Sequence, residues 1–155
     1  MKHLFIINPV AGKGKALEYI PEIKKIFSKR KNEVYFIETT ERPGHATELV
    51  KSYVGKDTYR VYSIGGDGTL NEVLNGMAGS DSSLAVVPAG SGNDFIKNLE
   101  NYSDLDTTKL AILESLIDGT EKPIDIGKVN NKYFINISSI GFDAEAAYHA
   151  AKFKK

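Results

Sequence analysis

Three glycine-rich turns, each set at the end of a short apolar run, constrain this chain more than any other feature. Asn8-Pro9-Val10-Ala11-Gly12-Lys13-Gly14-Lys15 closes the run 3–8, Gly65-Gly66-Asp67-Gly68-Thr69 the run 60–64, and Pro88-Ala89-Gly90-Ser91-Gly92-Asn93-Asp94 the run 84–87. These runs are rich in β-branched residues and alternate with stretches of helical period, the pattern of βαβ units and a mainly parallel sheet. Turns at the carboxyl ends of parallel strands all open onto one edge, where ligands bind. Three such turns on one edge make a site.

The expected strands are 3–8, 33–38, 60–64 and 84–87. A helix over 16–29 places Tyr19/Ile20, Ile23 and Ile26/Phe27 on one stripe, and Pro21 is tolerated in a first turn but not deeper. Further helices are expected at 45–53, at 69–77 with Gly76 or Gly79 ending it, at 93–99, and at 106–117 with Leu110, Leu113 and Leu116/Ile117 facing inward. Residues 122–129 and 133–139 read as two strands joined by Asn130-Asn131, a pair that accepts the positive φ of a tight turn. The fold class is therefore α/β, with a mainly parallel sheet and an antiparallel hairpin near the C-terminus. At 155 residues there is room for one complete core, not two. Residues 143–155 begin like another helix and stop without a cap, which points to a connection into a second domain beyond this chain.

Glycine at these turns lets backbone N–H groups approach an anion, and a helix starting straight afterwards adds its positive dipole end. The turn 65–69 also carries a hydroxyl, Thr69, and a carboxylate, Asp67, able to hold a magnesium ion or its waters. The alternative is that Asp67 or Thr69 caps the next helix. There is no G-x-x-x-x-G-K-[S/T] sequence, and neither Gly12-Lys13-Gly14 nor Gly90-Ser91-Gly92 has the third glycine of a dinucleotide fingerprint. No G-x-S-x-G elbow supports a nucleophilic Ser91. His3, His45 and His149 are not at metal-ligand spacing and read as surface or packing residues.

Twenty Lys and Arg balance twenty Asp and Glu, which removes the general electrostatic case for nucleic-acid binding. Without cysteine there is no disulfide, thiolate zinc site or cysteine nucleophile, and a reducing cytoplasmic setting is compatible. No apolar run approaches the roughly 20 residues of a membrane span, and the Met-Lys-His start leads into a strand rather than a signal peptide. Charge is nevertheless uneven: residues 1–31 carry eight basic residues against Glu18 and Glu22. A solvated helix face explains that excess, in which case reversing Lys24, Lys25 and Lys29 to glutamate leaves vesicle binding unchanged. Attraction to an anionic leaflet is the other reading.

The three turns in this order resemble the diacylglycerol kinase catalytic domain family, which includes bacterial lipid kinases and the sphingosine and ceramide kinases. Asn8-Pro9 with Gly12 and Gly14 is similar to its N-P-x-x-G-x-G opening. Thr39-Thr40 before Gly44-His45-Ala46 resembles its T-x(n)-H/N-A segment, Gly65 to Thr69 with Asn71-Glu72-Val73 its G-G-D-G-T-x-x-E-V, and Gly90 to Phe95 its S-G-N-D-F turn. The 65–68 turn alone is also found in NAD kinases and phosphofructokinases.

The resemblance implies a three-layer Rossmann-like fold of the NAD kinase and phosphofructokinase type, with residues 1–142 forming the nucleotide-binding domain. It implies ATP and Mg²⁺ as cofactors, with Asn8, Pro9, Gly12, Thr40, Gly65, Gly66, Gly68, Thr69 and Glu72 around the nucleotide and Asp67 beside the transferred phosphate as the catalytic residue. Gly90, Ser91, Asn93 and Asp94 are implied on the acceptor side. Asp67, Asp94 and Asp125 are implied as carboxylates linked to magnesium through water, although Asp125 reads equally well as a satisfied structural acid. The implied acceptor is a lipid hydroxyl at a membrane surface, diacylglycerol first, for a cytoplasmic, peripherally membrane-associated enzyme. NAD as acceptor and a non-catalytic nucleotide module are the alternatives. The general base is expected in a downstream β-rich domain, so these residues alone should turn over poorly. A homodimer stays open.

Overall fold

The computed structural model describes residues 1–90, 93–97, 108–136 and 138. Four parallel strands, β1 (Lys2–Ile7), β2 (Val34–Thr39), β3 (Arg60–Gly65) and β4 (Ser83–Pro88), form one sheet in the order β2-β1-β3-β4. Leu4 pairs with Phe36 on one side and Val61 on the other, and Gly65 pairs with Pro88. The central strands are buried on both faces, which is why they read as unbroken apolar runs: Leu4, Phe5, Ile6 and Ile7 are all 0% exposed.

Successive side chains go to opposite faces. Phe5, Ile7, Tyr62, Ile64 and Val87 pack under α1 (Tyr19–Phe27) and α5 (Lys109–Asp118), through Ile23, Phe27, Leu113 and Ile117. Leu4, Ile6 and Val61 pack under α2 (His45–Val54) and α3 (Asp67–Met77), through Val50, Val73 and Met77. The result is the three-layer, mainly parallel sheet expected from the sequence. A separate hairpin of β5 (Gly127–Val129) and β6 (Lys132–Phe134) turns at Asn130, whose φ is +52°. It docks on α3 through Asn75, whose Nδ2 donates to the Tyr133 carbonyl at 2.9 Å and whose Oδ1 accepts the Tyr133 N–H at 3.0 Å.

Several boundaries differ from the sequence reading. The stretch expected as one helix over 16–29 is divided. Residues Ala11–Glu18 form an irregular 3₁₀ segment with Gly12, Lys13 and Gly14 at positive φ, and regular helix starts at Tyr19, which leaves Pro21 in the first turn. Helix α3 begins at Asp67 rather than 69. Gly76 does not end it but lies inside it against Val50 and Thr47 of α2, and Gly79, at φ +87°, follows the helix. Residues 122–126 are not strand: a ladder needs a partner, and Glu121 instead ties this segment to Arg60 and Ser83. Ile124 and Ile126 there line, with Leu84 and Val86, a cavity of about 780 Å³ beside β4. The parts of the expected elements at 98–99, 106–107, 137 and 139, and the whole of 143–155, lie outside the described residues. No described helix is long and apolar enough to cross a membrane.

Candidate nucleotide site

The chain leaves β1 for β2 on one side and returns to β3 on the other, so the strand order reverses between β1 and β3. A crevice opens at such a switch point, outside the carboxyl ends of the strands. Asn8 follows β1, Thr40 follows β2 and Gly66 follows β3. Asn8, Pro9, Thr40, Gly68, Thr69 and Glu72 line one cleft of about 280 Å³. Six residues separated by up to 64 positions in sequence, all expected around one ligand, therefore share one cavity.

The turns touch one another. Asn8 Nδ2 donates to Thr69 Oγ1 at 3.0 Å, and Asn8 Oδ1 accepts the Val10 N–H at 3.2 Å, so the first turn is tied to the head of α3. A Cβ on Gly12 would collide with the Ala89 carbonyl oxygen, and one on Gly90 would lie 2.5 Å from Gly66 Cα. The glycines thus let three backbones approach more closely than any side chain allows. The N–H groups of Ala89 and Gly90 both donate to the Gly65 carbonyl at 3.0 Å. Asn93, at φ +56°, closes the last turn, with Oδ1 accepting from Gly90 N–H at 3.1 Å and Nδ2 donating to Gly90 O at 2.7 Å. Ser91 and Gly92 lie outside the described residues.

Neither Asp67 nor Thr69 caps α3: the N-cap is Gly66, and no side chain bonds there. Asp67 Oδ1 accepts the Asp94 N–H at 3.0 Å and faces Asn136 Nδ2 at 3.5 Å. Helix α3, the short α4 (Asp94–Lys97) and the residues after β6 thus meet at this carboxylate. Asp94 is exposed beside it, whereas Asp125 is exposed in the segment before β5. Among the described residues no three His, Asp or Glu side chains gather where one metal ion could be held. The backbone N–H of Asp94 on Asp67 brings two acidic residues next to one another, and magnesium keeps several waters and takes few protein ligands.

Sequence reasoning missed the residues that brace the site. Asn136 and Asn75 belong to no recognisable motif, and their roles arise from the docking of the hairpin. Of the histidines, His3 is 1% exposed and packs between strands and α1, and His45 Nδ1 accepts the Glu41 N–H at 3.1 Å. His3 is therefore a packing residue, and His45 is half-buried at the start of α2. His149 lies outside the described residues.

An open three-layer α/β domain with a ligand cleft at the carboxyl edge of its parallel strands is the class that this fold and site define. The sequence model of the diacylglycerol kinase catalytic domain matches residues 2–129, and the chain belongs to that family. It is 36% identical over 145 residues to a diacylglycerol kinase of Bacillus subtilis (strain 168), covering 92% of this chain and 46% of the relative. It is 34% identical over 145 residues to one of Staphylococcus haemolyticus, covering 92% and 42%. A crystal structure of a diacylglycerol kinase from Bacillus anthracis str. Sterne superposes with a TM-score of 0.70 at 29% identity, covering 99% of this chain and 54% of that one. The chain spans about half the length of the curated relatives it matches.

Proposed function

We propose that this chain is the nucleotide-binding part of a lipid kinase that transfers the γ-phosphate of MgATP to a lipid hydroxyl, diacylglycerol giving phosphatidic acid. The observation that carries the reading is the single cleft shared by Asn8, Thr40, Thr69 and Glu72 in a chain of this family. Phosphoryl transfer needs positioned phosphates, neutralised charge and an oriented acceptor. The touching glycine turns leave backbone uncovered by side chains at the carboxyl edge of the sheet, where we place the phosphate chain, and the Asn8–Thr69 pair supplies polar groups at the cleft. Magnesium, when bound, would neutralise charge on the phosphates, and Asp67 with Asp94 are the carboxylates we assign to its waters.

In the reaction the acceptor hydroxyl oxygen bonds the γ-phosphorus as the bond to the bridging β,γ-oxygen breaks. The hydroxyl proton passes to a base that we assign to chain beyond these residues, since relatives are about twice as long. The 155 residues alone then turn over slowly or not at all.

The test is transfer from labelled MgATP by the full-length natural protein, offered diacylglycerol, ceramide, sphingosine and NAD in parallel. Label on a lipid, lost in Asp67→Ala, is the expected result and names the acceptor. Label only on NAD, or no label on any acceptor, contradicts the lipid kinase reading.

A further inference from the structure

Glu72 lines the cleft, yet both of its carboxylate oxygens are aimed at backbone. Oε1 accepts the N–H of Gly44 at 2.8 Å and Oε2 accepts the N–H of Ala46 at 3.3 Å. Behind them, Thr47 Oγ1 donates to the Glu72 carbonyl at 2.8 Å. These amides belong to the N-terminus of α2, where Gly44 is the N-cap at φ +84° and supplies no side-chain cap of its own. The first amides of a helix have no intrahelical partner, and a carboxylate is favourable there. A residue of α3 therefore caps α2.

The segment so held forms one wall of the cleft. Thr40, Arg42 and Pro43 line it. At its start the Thr40 N–H donates to the Ile7 carbonyl at 2.9 Å, anchoring it to the sheet, and at its end the Glu72 clamp fixes Gly44 and Ala46. Thr69, three residues before Glu72 on the same helix, bonds Asn8 and lines the same cleft.

We propose that Glu72 is a positioning residue: it fixes the 40–44 wall relative to Thr69 and thereby sets nucleotide affinity, without touching the reacting groups. The proposal rests on the nucleotide reading above. With the clamp removed, the wall keeps its anchor at Thr40 and loses the one at Gly44. Nucleotide binding weakens, while the transfer step at saturating nucleotide proceeds as before.

The test uses the full-length natural protein with Glu72→Ala and Glu72→Gln. Glutamine keeps an acceptor for Gly44 N–H but turns a donor toward Ala46 N–H, so it restores half the clamp. The expected KM for MgATP rises roughly tenfold in the alanine variant and about threefold in the glutamine variant, with kcat within about twofold of the parent. In nucleotide-free protein the amides of both Gly44 and Ala46 exchange hydrogen faster in the alanine variant, and that of Ala46 does so in the glutamine variant, while those of β1 and β3 do not. A fall in kcat at unchanged KM, or unchanged exchange at Gly44 and Ala46, overturns the proposal. Should Glu72→Ala not fold, Glu72→Gln alone decides between these outcomes. If the parent protein binds no MgATP, the nucleotide reading fails, and the exchange arm still decides whether Glu72 holds the wall.

Discussion

His3 lies 1% exposed, with Nδ1 2.9 Å from Tyr62 Oη and Nε2 3.0 Å from Glu33 Oε2. A neutral imidazole has one donor and one acceptor; Nδ1 pairs with the Tyr62 hydroxyl, and Nε2 lies beside the Glu33 carboxylate without a hydrogen bond to it. Burial lowers the His3 pKa and outweighs the opposing pull of Glu33. The folded chain thus binds this proton less readily than the unfolded one, whose histidine titrates at about 6.5. Between the folded value and about 6.5 the unfolded state holds more protons, so stability from this site falls as pH drops through that window. Titration of the His3 ring by NMR is expected to give a midpoint below 6.5, and one above it would contradict the burial argument. Gly90 offers a second residue-scale test. A Cβ there meets backbone at Gly66, not a movable side chain, so Gly90→Ala should cost about 1–3 kcal/mol in denaturant unfolding; an unchanged midpoint would show that the turns do not press together.

At the scale of elements, α5 is tied to the sheet by arginines. Arg60, 8% exposed at the start of β3, donates through Nη1 to the carbonyls of Leu116 and Ile117 at 3.0 and 2.6 Å and through Nη2 to Glu121 at 3.0 Å. Arg30, after α1, makes a two-pronged contact with Asp118 at 2.7 and 2.6 Å. Arg60→Met leaves two helix-end carbonyls and Glu121 without this donor and should cost about 2 kcal/mol, read as a lower urea midpoint. Arg60→Lys should recover only part, because an ammonium lacks the planar fork; full recovery would mean that charge alone matters. The elements themselves were legible where burial has a period. The buried stretch Leu4 to Ile7 of β1 reads as an apolar run, and Tyr19, Ile23, Ile26 and Phe27 as a stripe. Residues 122–126 looked like strand for the same compositional reason, but a strand is a property of two segments, and Glu121 is bound to Arg60 instead.

For the whole molecule, the site was legible in outline because the glycine turns are local signals and the parallel sheet brings their ends to one edge. What those turns do to one another was not, since the contacts of Gly12 with Ala89 and Gly66 with Gly90 span more than 20 residues. Glu72 shows the same limit: a motif position marks that a carboxylate belongs in the cleft, but only the fold shows that it faces the amides of α2. The asparagines Asn75 and Asn136 carry no local signal, because each acts by meeting a distant segment.

Whether this cleft takes a nucleotide is decided by titrating the 155-residue chain with MgATP and following the backbone amides by NMR. Saturable shifts are expected at Asn8, Thr40, Gly66 and Thr69, none at the hairpin residues Lys128 to Lys132, and at least about fivefold weaker binding in Asn8→Ala, which loses the bond to Thr69. Shifts confined to residues outside the cleft, or binding indifferent to Asn8, would contradict nucleotide binding there.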